Sequence, residues 1–233
     1  MTEGLPIVLV PGLLCTPRLY AEQMPHLWAL GPVTVADHRR DDSMDGIVRR
    51  LLAQAPERFA LVGLSMGGYI AHALMRAAPQ RVVKLVLLDT GARADTPEQT
   101  ERRKTHIGLA QSGRFDEVLE MLHPAFVHKN RRTDTALKKI VLDMAAVTGP
   151  DAFVRQLKAI MTRPDSRPHL PDYRCPTLIL VGDGDELTPP SLAEEMAGLI
   201  AGSRLQTIDD CGHLSTLEQP DAVTRALVDF IKA

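Results

Sequence analysis

The stretch Phe59-Ala60-Leu61-Val62-Gly63-Leu64-Ser65-Met66-Gly67-Gly68 decides the fold of this chain. Its first four residues are apolar and predict a buried strand, and an apolar segment at helical spacing, Tyr69 to Ala78, follows the glycines. A Gly-x-Ser-x-Gly turn between a strand and a helix is the context in which this motif indicates a nucleophilic serine. Gly63 and Gly67 omit the side chains that would clash in so sharp a turn. Ser65 is then expected at a helix N-terminus, which favours a developing negative charge.

The composition is that of an ordinary globular protein. The chain has 233 residues, of which 45% are hydrophobic and 24% are charged, and its formal net charge is −2. A chain of this length is expected to form one domain, or one domain with a substantial insertion. Because the sequence has no long basic or acidic block, nucleic acid and anionic membranes are disfavoured as partners.

Several sequence features indicate the cytoplasm and no bound cofactor. Residues 1–6 contain neither a basic stretch nor a long apolar stretch, so we expect no signal peptide. No apolar run approaches the roughly 18 residues that span a bilayer. The cysteines Cys15, Cys175 and Cys211 are odd in number and scattered, which is typical of a reducing compartment without a disulfide framework. The chain has no Cys-x-x-Cys or His-Glu-x-x-His spacing, and we expect neither a metal nor another cofactor.

Two blocks of the chain alternate strand-like and helix-like segments. Strands are predicted at Ile7–Val10, Val33–Ala36, Phe59–Leu64, Val82–Leu88, Thr177–Val181 and Arg204–Ile208. Helices are predicted near Tyr20–Leu30, Met44–Ala55, Gly68–Ala78, Pro190–Ile200 and Asp221–Ile231. Short strands rich in Val, Ile and Leu that alternate with helices predict an α/β fold, with a mostly parallel sheet and helices on both faces.

Strand signals are absent between Ala92 and Pro168. The helices predicted in this region are Pro97–Gln111, Phe115–Leu122, Thr133–Val147 and Asp151–Met161, with glycine or proline between them. We therefore expect an α/β core formed by residues 1–91 and 169–233, and a helical lid inserted at residues 92–168. Most apolar side chains of the insertion are expected to hold the lid together, and one or two to face substrate. The candidates are Met121, Phe126, Met144, Phe153, Ile160 and Met161.

A serine hydroxyl is a poor nucleophile unless a base takes its proton, and two later segments supply a base and an acid. Gly182-Asp183-Gly184-Asp185 follows the strand Thr177–Val181, and Cys211-Gly212-His213 follows the strand Arg204–Ile208. Both segments are expected at the carboxyl ends of their strands, where open α/β sheets bind their ligands. The order serine, acid, histidine along the chain is the one expected for this kind of fold.

With these motifs, and with Val10-Pro11-Gly12-Leu13-Leu14 after the first strand, the chain resembles the α/β-hydrolase superfamily over nearly its whole length. Within the superfamily it looks most like the small carboxylesterase and enol-lactonase branch. The resemblance implies that Ser65 is the nucleophile and that His213 is the general base toward Ser65, then the general acid toward the leaving group. The superfamily pattern of Gly, two residues, Asp, and Pro four residues later selects Asp185 as the acid, and Asp183 is the alternative.

The resemblance also implies an oxyanion hole made of two backbone N–H groups. One belongs to Met66, directly after the nucleophile, and the other belongs to Leu13, in the loop after the first strand. Many relatives have His-Gly in this loop where the present chain has Pro11-Gly12. The difference changes a supporting side chain and leaves the N–H donors in place.

Other side chains near the motifs are expected to serve the structure. Cys15 and Cys211 lie close in sequence to the expected site, and packing as small apolar residues is the favoured interpretation. We expect His72, in the helix after Ser65, to be structural, and His38 to line the mouth of the site.

The resemblance implies a cofactor-free serine hydrolase that cleaves a small carboxylic ester or lactone through an acyl-enzyme on Ser65. The same triad also supports carbon–carbon bond hydrolysis, perhydrolysis and acyl transfer, so these alternatives stay open. A hydrolase-like ligand receptor and a scaffold with an inactive site are the alternatives outside enzyme chemistry. We expect a small-molecule partner, no nucleic-acid or membrane partner, and a monomer or homodimer.

Overall fold

The computed structural model describes residues 4–233 and contains one six-stranded sheet. Its strands are β1 (Ile7–Val10), β2 (Val33–Val35), β3 (Phe59–Leu64), β4 (Val82–Leu88), β5 (Thr177–Gly182) and β6 (Arg204–Ile208). Neighbouring strands are all parallel, in the order β2-β1-β3-β4-β5-β6. The predicted strands are confirmed to within one residue at their ends. The expectation of no signal peptide rests partly on residues 1–3, which lie outside the described residues.

Helices cover both faces of the sheet, as expected for an α/β fold. They are α1 (Met24–Trp28), α2 (Met44–Gln54), α3 (Met66–Ala77), α4 (Pro97–Gln111), α5 (Phe115–Phe126), α6 (Thr135–Met161), α7 (Pro190–Leu199), α8 (Ser215–Glu218) and α9 (Pro220–Lys232). Strands β1, β3 and β5 are buried along their whole length, which explains their unbroken apolar sequences. Because helices bury both faces of the sheet, a polar site can form only at the strand ends and in the loops that follow them.

Four helix predictions differ from the structure by more than two residues at one end. The helix predicted at Tyr20–Leu30 is instead a short 3-10 turn followed by α1, because Pro25 has no N–H with which to continue a helix begun at Tyr20. The helices predicted at Thr133–Val147 and Asp151–Met161 form the single run α6, which is broken at Gly149 by a φ of 76°. Helix α5 continues past Pro124 to Phe126, and the short helix α8 has no counterpart in the prediction.

The order of the strands creates the crevice that holds the site. From β1 the chain moves to β2 on one side, and then returns to β3 on the other side of β1. The loops after β1 and β3 therefore diverge at the carboxyl edge of the sheet, and such a switch point is where α/β proteins bind their ligands. Leu13, in the first loop, and Ser65, after β3, line the same cavity at this point.

The segment between β4 and β5 is helical. Residues 92–168, all of them described, contain α4, α5 and α6 and no strand. Helix α4 begins at a capping box in which Thr96 and Gln99 satisfy each other's backbone N–H groups. Helices α5 and α6 are joined by the Phe115 and Phe153 rings, whose centroids are 5.5 Å apart. Of the helices described, including the long α6, none combines the length and apolar character needed to cross a membrane.

Candidate active site

Ser65 occupies a strained turn between β3 and α3. Its φ of 55° and ψ of −114° lie outside the backbone regions that residues other than glycine ordinarily adopt. Such backbone strain is found most often at functional sites. The turn is held by two hydrogen bonds: the N–H of Ser65 donates to the Leu88 carbonyl at 2.9 Å, and the Thr90 hydroxyl donates to the Ser65 carbonyl at 2.8 Å. A Cβ atom on Gly67 would collide with the Val10 carbonyl oxygen, so the motif requires glycine there for lack of space.

A continuous chain of hydrogen bonds links Ser65, His213 and Asp185. The Ser65 Oγ lies 2.8 Å from His213 Nε2, and His213 Nδ1 lies 2.8 Å from Asp185 Oδ2. The three side chains come from the carboxyl ends of β3, β5 and β6 and are all buried. This arrangement allows the imidazole to accept the serine proton while the carboxylate fixes its tautomer.

The loop after β5 holds Asp185 as an ionised acceptor. Its Oδ1 accepts the N–H groups of Leu187 and Thr188, both at 2.9 Å, and its Oδ2 accepts the Thr188 hydroxyl at 2.7 Å. Burial by itself raises the pKa of Asp185, but the charge of His213 and these hydrogen bonds outweigh it and lower the pKa below its ordinary value. Burial is the largest single effect on His213 and lowers its pKa, but the charge and hydrogen bond of Asp185, together with the charges of Asp89 and Glu218, raise the pKa above its ordinary value.

Asp183, the alternative acid, lies apart from the histidine ring. Its side chain is exposed, and its Oδ1 accepts the N–H of Cys211 at 3.1 Å. The structure thus brings Asp185 to His213 and uses Asp183 to tie the loop after β5 to the loop that carries His213.

Glu218, in α8, anchors the His213 loop from the other side. One carboxylate oxygen accepts the N–H of Leu214 at 3.2 Å, and the other accepts the N–H of His128 at 2.7 Å. Burial raises the pKa of this carboxyl group. The Phe126 ring stacks near the imidazole of His213, with centroids 6.2 Å apart. The sequence interpretation missed Glu218, for which the only signal is an acidic residue in the otherwise uncharged stretch from Leu214 to Gln219.

A third buried carboxyl group, Asp89, lies near Asp185 and His213. Asp89 directly follows β4, and its Oδ1 accepts the N–H of Gly182 at 3.0 Å while its other oxygen is hydrogen-bonded to the Ser215 hydroxyl. Burial raises the pKa of Asp89, and the charge of Asp185 raises it further. The sequence interpretation missed this residue, although an aspartate at the end of the apolar run Val82–Leu88 carries the same strand-end signal as Ser65.

The loop after β1 is held in place by a side-chain relay. The N–H of Leu14, which has a φ of 62°, donates to Gln156 Oε1 at 3.2 Å. Gln156 Nε2 lies 3.1 Å from His38 Nδ1, and His38 Nε2 lies 2.8 Å from the Pro11 carbonyl oxygen. Burial lowers the pKa of His38, so the neutral ring fits this relay, with Nε2 as donor and Nδ1 as acceptor. The expectation that His38 lines the mouth of the site is wrong, because its side chain is 1% exposed behind the loop.

The backbone N–H groups of Leu13 and Met66 flank the serine. Leu13 lines the cavity, and Met66 is the first residue of α3, where an N–H has no intrahelical acceptor. Within residues 4–233 neither group donates to another part of the protein. Both are therefore free to donate to an oxygen that develops negative charge near Ser65.

A cavity of about 610 Å³ opens over Ser65 and His213. Helices α4, α5 and α6 supply much of its wall. Of the apolar candidates in this segment, Met121, Phe126 and Ile160 line the cavity. Three of the six candidates therefore line the cavity, against the expected one or two. Met144 and Phe153 are instead buried in the core, where they hold the helices together.

The other polar groups near the motifs show no reactive environment. Burial raises the pKa of the Cys15 thiol to about 12 and that of Cys211 further, so neither is a ready thiolate. His72 is buried against the Tyr173 hydroxyl at 2.9 Å, and burial lowers its pKa to about 3. In the described part of the chain, no three His, Cys, Asp or Glu side chains are grouped so as to hold a metal ion.

The chain belongs to the alpha/beta hydrolase family, whose sequence profile matches residues 7–226. It is similar to a thermophilic esterase from Thermogutta terrifontis, solved with malate bound, at 29% identity and a TM-score of 0.90, over 99% of this chain and 90% of that one. The enol-lactonase from Burkholderia xenovorans LB400 shares the fold, with 24% identity and a TM-score of 0.89, over 99% of this chain and 92% of that one.

A curated relative points to a different reaction in the same family. The 2-hydroxy-6-oxononadienedioate/2-hydroxy-6-oxononatrienedioate hydrolase of Klebsiella pneumoniae is 29% identical over 211 residues, which are 88% of this chain and 73% of that protein. The resemblance to the α/β-hydrolases is confirmed, and an esterase is among the similar proteins. The likeness to the enol-lactonase shows the fold. The family and the names of its members identify the chain as a hydrolase.

Proposed function

We propose that this protein is a serine hydrolase that cleaves a small carboxylic ester or lactone through an acyl-enzyme on Ser65. The observation that carries the proposal is the hydrogen-bonded chain Ser65–His213–Asp185 at the wall of a cavity. The similarity to an esterase at 29% identity supports the same reaction.

The proposed reaction uses each group in a defined role. His213 Nε2 takes the proton of Ser65 as the hydroxyl oxygen attacks the carbonyl carbon, and Asp185 stabilises the imidazolium that forms. The N–H groups of Leu13 and Met66 donate to the oxyanion, and each such donor contributes about 3–4 kcal/mol to transition-state stabilisation. His213 then protonates the leaving alkoxide, and afterwards activates the water that releases the acyl group.

We also propose that residues 92–168 act as a lid on a core formed by residues 1–91 and 169–233. The contribution of α4, α5 and α6 to the cavity wall supports this division. In this arrangement the lid determines which acyl and alcohol groups reach Ser65.

The test is a screen of p-nitrophenyl esters of graded acyl length with wild-type protein and Ser65→Ala. We expect wild type to hydrolyse short acyl esters, and Ser65→Ala to lose kcat by about 10⁵–10⁶-fold, because the nucleophile is absent. The circular dichroism spectrum and melting temperature of the variant should match those of wild type. Undiminished turnover by folded Ser65→Ala would contradict the proposal.

Carbon–carbon bond hydrolysis is a second candidate, supported by the Klebsiella pneumoniae relative. A 2-hydroxy-6-oxo-dienoate substrate tests it in parallel with the aryl esters. A kcat/KM for the dienoate well above the best ester value, lost in Ser65→Ala, would favour this reaction as the main one. A lower value would leave ester hydrolysis as the better account.

A further inference from the structure

The charged residues that line the cavity beside Ser65 are of one sign. They are four arginines: Arg93, Arg102, Arg103 and Arg163. His106 also lines the cavity, and burial and the neighbouring Arg102 and Arg103 lower its pKa, which favours the neutral ring. No aspartate or glutamate of the described chain lines this cavity. Because the whole chain has 29 acidic and 27 basic residues, an unselected wall would be expected to hold both signs.

One buried carboxylate, Asp95, pairs with two of these arginines. Its Oδ2 accepts Arg103 Nε at 2.7 Å, and its Oδ1 accepts Arg163 Nη1 at 2.6 Å. The Arg163 guanidinium also lies over the Tyr69 ring, with its Cζ atom 4.1 Å from the ring centroid. A single carboxylate between two guanidinium groups leaves this cluster with one uncompensated positive charge.

The same arginines keep unused donors. The Arg163 Nε donates to the Arg93 carbonyl oxygen, and its Nη1 donates to Asp95 and to the Ile160 carbonyl oxygen. Its Nη2 has no hydrogen-bond acceptor within residues 4–233. Arg103 similarly uses Nε and Nη2 and leaves Nη1 free. Neither nitrogen is one of the fully buried unpaired atoms of the described chain, so both remain accessible, and a ligand that enters the cavity can accept hydrogen bonds from them.

Arg102 and Arg93 differ in their pairing. Arg102, one residue before Arg103 on α4, forms no ion pair with any described carboxylate. Arg93 is neutralised by Glu195 at 2.8 Å. The uncompensated charge of the wall is therefore concentrated at Arg102, Arg103 and Arg163.

This positive region lies near the serine. Tyr69 is one turn after Ser65 on α3, and its N–H donates to the Ser65 carbonyl at 3.3 Å. Tyr69 is therefore about 5.4 Å from Ser65 along the helix axis. The Arg163 guanidinium stacks on the Tyr69 ring, so it lies farther from Ser65 by about the length of a tyrosine side chain. An anion bound there would belong to the part of a substrate remote from the carbonyl that Ser65 attacks.

We infer that Arg102, Arg103 and Arg163 form a subsite for a carboxylate, so that the substrate is an ester or lactone carrying a free carboxylate. The planar guanidinium fork matches a carboxylate in a bidentate geometry, and one carboxylate cancels the excess charge of the Asp95 cluster. Met121 and Phe126 provide apolar wall for the carbon chain between the two groups. The assignment to a substrate rests on the proposed function of Ser65, whereas the anion subsite itself does not.

The experiment measures binding without turnover, in the Ser65→Ala protein. Isothermal titration calorimetry compares monomethyl adipate, which has an ester and a carboxylate, with dimethyl adipate, which is neutral. We expect monomethyl adipate to bind at least about tenfold more tightly at low ionic strength, because a charged hydrogen-bonded pair contributes that much or more. Added KCl should reduce the difference.

Two test substitutions and one control substitution, all in the Ser65→Ala background, show which residues cause the carboxylate preference. Arg102→Gln should reduce the preference for the carboxylate by about tenfold. Lys104→Gln is the matched control, because Lys104 lies on the same helix, pairs with Glu101 outside the cavity and carries the same charge. It should leave the preference unchanged. Arg163→Lys keeps the charge at a buried position and should also lower the preference, because the guanidinium fork is lost.

The outcomes separate this inference from the proposed function. Equal affinity for the two adipate esters, no measurable binding of monomethyl adipate at millimolar concentration, or an unchanged preference in Arg102→Gln would overturn the subsite. If wild type hydrolyses neutral aryl esters through Ser65 but shows no carboxylate preference, only the subsite fails. If the preference is present but no ester is cleaved, the subsite stands and the ester-hydrolase proposal fails.

Discussion

The carboxyl edge of the sheet and the helical segment between β4 and β5 form one cavity by different physical means. At the sheet edge Ser65 and Asp185 follow the buried strands β3 and β5, and His213 follows the largely exposed edge strand β6. Backbone hydrogen bonds fix the loops that carry them. In the helical segment Arg103 and Arg163 are placed by an ion pair with Asp95 and by helix packing. Strand ends therefore place the residues of the proposed chemistry, whereas helix packing places the arginines of the proposed carboxylate subsite.

The largest effect is expected at the sheet edge, where two neighbouring aspartates serve as a matched pair. Asp185→Asn should lower kcat for a p-nitrophenyl ester by about 10⁴-fold, because an amide cannot hold the required tautomer of His213 or stabilise its charge. Asp183→Asn should leave kcat within about threefold, since an amide oxygen still accepts the N–H of Cys211. Equal decreases of kcat in the two variants would contradict the assignment of Asp185, rather than Asp183, as the acid that acts on His213.

The pH profile of the same variants gives a second readout. His213 must be neutral to act as a base, so kcat/KM should fall as pH decreases through its pKa. Burial is the largest single effect and lowers that pKa, but the charge and hydrogen bond of Asp185, with the charges of Asp89 and Glu218, together raise it. The acid limb of wild type should therefore lie at higher pH than the ordinary pKa of histidine. In Asp185→Asn the limb should move to lower pH. An unmoved limb would contradict the assigned source of the shift.

A smaller effect is expected at Gln156, which extends from α6 to the sheet edge. Gln156→Leu removes the acceptor for the N–H of Leu14 and the donor to His38, so the loop that carries Leu13 should lose its fixed position. We expect kcat to fall by about tenfold, less than the loss of a whole oxyanion donor, with KM little changed.

Arg155→Gln is the control for this experiment. Arg155 lies on the same helix and contacts the Arg39 carbonyl rather than the Leu13 loop, so kcat should stay within about threefold. Melting temperatures of both variants exclude general destabilisation. If kcat falls as much in Arg155→Gln as in Gln156→Leu, the effect is not specific to the contact between Gln156 and the Leu13 loop.

The sequence was sufficient to predict the parts of the fold and site that depend on local pattern. Apolar runs gave the strands, and the motifs after them gave the proposed serine, acid and histidine. The helices of residues 97–161 were also recognisable, although Gly149 and Pro124 interrupt them less completely than their residue types suggested.

The remaining features depend on contacts between distant segments, which no local pattern encodes. The sequence alone does not show that His38 is buried behind the loop after β1, because its partner Gln156 lies 118 residues away. Asp89 and Glu218 are recognisable as site residues only when their buried hydrogen bonds to Gly182, Ser215 and Leu214 are known. The positive cavity wall likewise depends on Asp95 lying between Arg103 and Arg163.

The central claim is that Ser65 is an activated nucleophile, and covalent labelling with a fluorophosphonate tests it most directly. Intact-protein mass spectrometry of the wild type should show one adduct, and peptide mapping should assign it to Ser65. Ser65→Ala should remain unlabelled under the same conditions, and Asp185→Asn should label more slowly. A wild-type protein that takes no label, or a Ser65→Ala protein that labels as fast as wild type, would contradict the account.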